Sequence, residues 1–378
     1  MGQFPAIDVI PLPAPVWLFK LLHVLLLTLH FVCVQAMLGG LLVSVVWRLS
    51  GGRTAGSLLG DASRQVVKTL PVLMTYVINL GVPPLLFLQV LYGHAFYAGS
   101  IIIGAWWLSV IFALTAMYYL LYVAAQRSLD GREYWLALAG SLVLGVFIAF
   151  VYSTTMTFML RPEQWADLYQ AGAQGKALPP LDPTKLARWC YMLTGGLTVG
   201  GLGVVALGSM RRQSAELREA MFRSGGQFAA AGVVLQMVAA TMVVLRQPPV
   251  VHDLLGESAF YHGMQLLWVP VALVVLALAG FLATRAGSVA ADAAKARIIG
   301  WAGSLGAVVL TLVATAFRDG VRDLTLKAKG FDVWSLPVVP NYFVLTIFLV
   351  IVVITVSIVG LLIATVLRAQ PREEAVTQ

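Results

Sequence analysis

The five histidines, His23, His30, His94, His252 and His262, are the residues of this chain best suited to chemistry. A neutral imidazole is the commonest type of haem ligand, and burial helps to keep it neutral. His23 and His30 stand seven apart, which is two helical turns and nearly one face. At 1.5 Å per residue they are ~10.5 Å apart, too far for both to bind one metal ion. That distance is also shorter than a two-haem ladder needs, so at most one of them ligates any given iron. His30 falls inside a long apolar run, where an ionisable group is rare and usually functional. It is the first candidate ligand, with His94 or His23 as the other, His262 behind them and His252 last. The plain alternative for His30 is a hydrogen bond from a ring nitrogen to a neighbouring helix. For the rest it is an amphipathic residue at a membrane surface.

Two further groups invite chemistry. Near Thr75 to Gln89 the prolines Pro83 and Pro84 remove two backbone donors and set their rings against the preceding turn, which predicts a broken helix. Lipid cannot satisfy freed carbonyls, so such a break must face protein or a cavity. Asn79 and Gln89 are amides that need partners there. Together these four residues are the expected wall of a quinone or cofactor pocket, or else a structural kink. The run Phe317-Arg318-Asp319-Gly320-Val321-Arg322-Asp323 places Arg318 and Arg322 four apart on one helical face. Two guanidinium forks suit haem propionates or an acidic partner; the alternative is pairing with Asp319 and Asp323. Glycine pairs such as Gly195-Gly196, Gly200-Gly201 and Gly225-Gly226 allow close helix approach. The two cysteines, Cys33 and Cys190, form no CxxC or CxxCH pattern, which excludes covalent c-type haem and cysteine zinc sites. Neither a Walker motif nor HExxH occurs.

The elements that position these residues are set by composition. Of 378 residues, 60% are hydrophobic and 11% charged, with a mean hydropathy of +0.87. A soluble chain keeps roughly a quarter of its residues charged, so lipid is the solvent for much of this one. The net charge of +8 is no sign of nucleic acid binding, because the basic residues sit between apolar runs and not on one recognition element. About 20 apolar residues span a bilayer core of ~30 Å as a helix. On that ruler spans fall near 16–47, 66–97, 101–126, 133–160, 187–210, 217–246, 263–284, 296–318 and 342–368. The runs are continuous, not alternating, which excludes a β-barrel. The expected fold is an all-α polytopic bundle of about nine transmembrane helices forming a single domain over 1–378.

Positive charge sets the expected orientation. Arg48, Arg53, Arg64, Lys68, Arg127, Arg132, Arg211, Arg212, Arg218, Arg223, Arg285, Lys295, Arg297, Arg368 and Arg372 occupy one set of connections. The positive-inside rule puts that set in the cytoplasm, with the carboxyl terminus, and leaves the amino terminus outside. All five histidines then belong to the outer half. Counting from Arg48, His30 lies ~27 Å up and His23 ~38 Å up, while His94 lies ~39 Å above Lys68.

The stretch Leu29-His30-Phe31 followed by Gly39-Gly40, the run GVPPLLFLQVLYGHAFY within 80–97, and FRDGVRD near 317–323 carry a resemblance. They are similar to short relatives of the cytochrome bd quinol oxidase large subunit and to inner-membrane proteins associated with respiratory cytochromes. The resemblance covers the first quarter of the chain and the FRDGVRD run. It implies that His30 binds haem near the outer side. The family's long quinol-binding loop is absent, and its other haem ligands and proton-channel acids have no clear match, which argues against oxygen reduction by this chain alone.

The resulting expectation is a bacterial inner-membrane subunit of a respiratory electron-transfer system. It holds one b-type haem near the outer face and passes electrons between the quinone pool and a periplasmic partner, such as a c-type cytochrome or another respiratory subunit. A transporter with its site at the broken second helix and a non-catalytic membrane scaffold are the rival readings.

Overall fold

The computed structural model describes residue 4 and residues 10–54, 56–172, 174–210 and 213–368, with only some side chains at the end of the last helix. Continuous apolar runs become helices because lipid offers a backbone no hydrogen bonds, so each segment must satisfy its own. The chain forms α1 (Val16–Trp47), α2 (Leu58–Val67), α3 (Leu70–Ile102), α4 (Gly104–Leu129), α5 (Trp135–Phe158) and α6 (Trp165–Ala171). Then follow α7 (Pro183–Met210), α8 (Ala215–Leu245), α9 (Pro249–Glu257), α10 (Ala259–Ala290), α11 (Ala293–Lys327) and α12 (Tyr342–Arg368). Among the described residues, eight helices are long and apolar enough to cross a membrane. The ninth expected segment is α12, in which the shorter apolar stretch Tyr342–Ile354 is described. Many exposed side chains on these helices are apolar or aromatic, such as Leu108, Phe112 and Tyr119 of α4. That is a surface made for lipid.

α1 is the shared element. It packs on α3 and α5 on one side and on α7 and α11 on the other. The α1–α7 crossing is a backbone contact: a Cβ added at Gly39 would overlap the Gly196 carbonyl oxygen, and one at Gly200 would overlap the Gly39 backbone. Small residues there let the helices approach, and dispersion over that area holds them. One core surrounds Met37, Leu41, Leu70 and Leu121. A second joins Tyr92, Phe96, Phe158 and Trp165, and a third fills the space between α7, α8, α10 and α11.

Two expectations are corrected. α2 is a short helix at a bundle end that was not foreseen; Ser57 caps it by accepting from the Gly60 N–H at 3.0 Å. More consequentially, α3 does not break at Pro83 and Pro84 but runs through them, and its non-helical residue is Tyr92 (φ −130°, ψ 26°). A proline ring fixes φ near the helical value, so the pair costs two donors without forcing the chain out of the helix.

The segment before α1 is tied to the segment before α12. The Leu12 N–H donates to Pro337 O at 2.8 Å, Val339 N–H donates to Leu12 O at 2.9 Å, and Asn341 N–H donates to Pro13 O at 3.0 Å. Beyond the single Leu12–Val338 bridge there is no strand pairing among the described residues.

Candidate functional site

The start of α1 carries Lys20 and His23 on one face, three apart, and both are buried. Burying an ammonium costs several kcal/mol unless carboxylates meet it. α11 supplies them with Asp319 and Asp323, four apart and also buried. Lys20 Nζ pairs with Asp319 and, at 2.7 Å, with Asp323 Oδ2. It also donates to the Tyr92 hydroxyl at 2.7 Å. That hydroxyl donates onward to Asp323 Oδ1 at 2.5 Å, and the Trp334 indole N–H reaches Asp323 Oδ2 at 3.2 Å. Arg322 donates to Asp319 Oδ1 at 3.1 Å. The network therefore fastens α1, the non-helical residue of α3, α11 and the 333–335 turn to one another. Lys20 and Arg322 are matched by two carboxylates, so its formal charge cancels.

His23 belongs to this network. Arg322 can only donate, so the 3.1 Å contact from its NH1 to His23 Nε2 makes that nitrogen an acceptor. The proton then sits on Nδ1, which donates to Pro84 O at 3.0 Å. Both ring nitrogens are spent. His30, two turns along α1, donates from Nδ1 to Val77 O at 3.0 Å. His23 faces Pro84 and His30 faces Val77, seven residues apart on each helix, the register of antiparallel neighbours. The two histidines thus lace α1 to the backbone of α3. The His30 ring lies so close to α3 that a Cβ on Gly81 would come within 2.8 Å of it.

The other expected site residues are dispersed. His94 is ten residues beyond Pro84 on α3, about 15 Å of helical rise, and its ring lies 5.9 Å from Phe331. It is not level with His23. From Val77, the level of His30, it is seventeen residues away, about 25 Å. His252 lies on α9 and His262 at the start of α10; neither makes a side-chain hydrogen bond among the described residues. Asn79 faces outward from α3 and donates back to Thr75 O at 2.8 Å. Gln89 accepts from the Tyr97 hydroxyl at 3.0 Å. Pro84 is buried and Pro83 partly so. None of these four lines the cavity described below. Cys33 and Cys190 are free. Among the described residues no cluster of three or more His, Cys, Asp or Glu side chains could hold a metal ion.

Arg318 and Arg322 share a helix but not a task. Arg322 turns into the network, whereas Arg318 lies over the Phe31 ring at 5.3 Å and borders a cavity of about 360 Å³. This cavity lies between α1, α7, α8, α10 and α11, and its wall also holds Arg188, Tyr191, Trp268, Gln35 and Gln236. The Tyr191 hydroxyl and Trp268 Nε1 are buried with no hydrogen bond of normal geometry. Gln236 accepts from Thr198 at 3.1 Å, and Gln35 accepts from Thr311 at 3.4 Å.

Outside the spans, Arg161 pairs with Asp182 through Nε at 2.8 Å. Burial works against ionisation of Asp182, but the Thr184 hydroxyl and the Arg161 guanidinium outweigh it and hold the carboxyl below the usual carboxylate range.

Sequence reasoning missed Lys20, Tyr92, Asp319 and Asp323 as a unit and Arg188, Tyr191 and Trp268 as a cavity wall. The available signal was Lys20 itself, a charge inside an apolar run three residues before a histidine.

Fold and site together define a polytopic helical membrane protein with one end organised around buried charge. No family model matches the chain, and no curated protein matches it in sequence. Among solved structures it is similar to a chain of the bd oxidase from Geobacillus thermodenitrificans, with a TM-score of 0.70 and 13% sequence identity, over 96% of this chain and 100% of that one. The likeness in fold therefore extends over nearly the whole of both chains.

Proposed function

We propose that this chain is a membrane subunit of a respiratory electron-transfer complex, seated in a bacterial inner membrane and working beside subunits that exchange electrons with the quinone pool and with a partner outside. The observation that carries this reading is the end-to-end likeness to a bd oxidase chain, joined to a cavity and a buried charge network at one end of the bundle. The positive-inside rule assigns that end to the outer face.

A b-type haem held between two of the expected imidazoles does not fit these contacts. His23 has both nitrogens engaged, and His30, with Nδ1 on Val77 and its ring against Gly81, has only Nε2 to offer. His94 is about 25 Å of rise from the level of His30, and no histidine lines the cavity. No electron-transfer step is therefore assigned to an iron held by a pair of these residues. This favours the scaffold side of the reading: the chain supplies framework and a binding cavity, and its partners supply the metal centres. The transporter reading loses its motive because α3 runs unbroken through Pro83 and Pro84.

The test is affinity purification of the full chain from native membranes in a mild neutral detergent, with absorbance spectra before and after partners are stripped. The reading expects haem-bearing subunits to co-purify and the haem bands to leave with them. Recovery as a single species with no redox-active partner would overturn it.

A further inference from the structure

We propose that the cavity beside α7 and α11 binds an acyl-chain amphiphile through a single anionic head, a carboxylate or a phosphate, clamped between Arg188 and Arg318. The inference stands on the charge inventory of this end and does not depend on the respiratory reading. Lys20 and Arg322 are matched by Asp319 and Asp323, and Arg161 by Asp182. Arg188 and Arg318 have neither an ion pair nor a hydrogen bond among the described residues. Both border the same cavity, Arg188 from α7 and Arg318 from α11, so their like charges oppose each other across it. Asp182 and Asp319 act on them only from a distance, being held by other cations.

An uncompensated guanidinium at an apolar wall costs several kcal/mol, and two side by side cost more. Such an arrangement is stable when an anion sits between the forks, since guanidinium takes carboxylate or phosphate oxygens two at a time. The Tyr191 hydroxyl and Trp268 N–H stand beside each other and Gln236 on the same wall without a hydrogen bond of normal geometry, and a head-group oxygen there would give them a better partner. A neutral head, such as a quinone carbonyl, would leave both charges unbalanced.

The rest of the cavity fits a chain. Met237, Ala240, Val244 and Val269 line it, and the lining residues Leu245 and Val269 are also exposed. The cavity therefore reaches the lipid-facing side between α8 and α10, by which a tail can lie half in protein and half in the bilayer. Its volume of about 360 Å³ falls within the range of small-molecule sites, roughly 300–1,000 Å³.

The test uses the full-length protein in neutral detergent, with dodecyl phosphate as probe and dodecanol as its uncharged counterpart. Dodecyl phosphate is expected to raise the melting temperature saturably and dodecanol not to. In Arg188→Gln and Arg318→Gln the apparent affinity is expected to fall by about tenfold or more, the scale for losing one partner of a buried charge pair, while Arg318→Lys retains part of it. If the glutamine variants do not fold, the wild-type comparison of the two probes decides alone. Mass spectrometry of an organic extract separates the sources, a free fatty acid pointing to the carboxylate and an acidic phospholipid to the phosphate. Equal response to both probes, or an extract whose only ligand displaced by dodecyl phosphate is a neutral quinone or a porphyrin, would overturn the proposal.

Discussion

The two ends of this bundle handle charge in opposite ways. At the end where α1 begins, Lys20, Asp319, Arg322 and Asp323 are buried and share one network with His23 and Tyr92. At the other end, charges work in small separate sets. Arg48 is buried, but it pairs with Glu133, whose side chain is 52% exposed, and stacks on Tyr134 at 4.6 Å. Arg223 pairs with Glu219 one turn away on an exposed face, and Arg53 lies over Trp135. Solvent-accessible pairs serve to end helices at a membrane surface. A buried network demands that α1, α3 and α11 meet in one arrangement, and it is costly enough that its presence marks an end with a task.

This contrast is open to direct attack, and the largest effect should come from the network. Asp319→Ala leaves Lys20 and Arg322 short of a carboxylate in a buried setting, an expected loss of about 3–5 kcal/mol. Glu219→Ala at the opposite end, which leaves only the exposed Arg223 without its partner, should cost ~0–1 kcal/mol. Thermal melts of both variants in the same detergent check the difference, and equal losses would erase the distinction between the ends. Next comes the α1–α7 crossing that carries α1 into place. Gly39→Val puts side-chain atoms where the Gly196 carbonyl now lies, and the overpacking should cost about 1–3 kcal/mol, read as a lowered melting temperature. The lacing of α1 to α3 is a smaller term: His30→Leu removes the bond to Val77 and should cost about 1 kcal/mol, whereas His30→Gln, which keeps a donor, should recover part of it.

The smallest effect is a pH dependence in the loop. Asp182 is held below the ordinary carboxylate range in the folded chain. The stability it contributes is present above its unfolded value, near 3.9, and is lost as pH falls through the lower folded value. Wild type should exceed Asp182→Asn in melting temperature at neutral pH, and the two should converge in acid. A gap that widened on acidification would show the sign to be wrong.

How much of this was legible follows from what lipid demands. Long apolar runs have few alternatives, so all eight described spans and α12 overlap the segments read from hydropathy, most to within a few residues, although α11 runs nine residues past 318. The bundle end that holds Lys20, His23, Arg318 and Arg322 was legible as well. The partnership between them was not, because Lys20 and Asp323 are 303 residues apart and nothing local announces that α11 returns to α1. Pro83 and Pro84 misled for a different reason. Their missing donors were legible, but a helix lined by lipid and protein tolerates them, and the bend falls instead at Tyr92, whose hydroxyl the network has claimed. Of the histidines, His23 and His30 make helix-to-helix hydrogen bonds, the plainer role that the sequence allowed for His30.

That assignment of the imidazoles is the central claim, and it has one direct measurement. The reduced-minus-oxidised absorbance spectrum of the chain purified free of partners, with its haem content determined per chain, reports whether these histidines ligate iron. The account predicts no bis-imidazole b-type α-band at one haem per chain. A stoichiometric α-band that disappears in His30→Gln, a variant that keeps the helix-lacing donor, would contradict it.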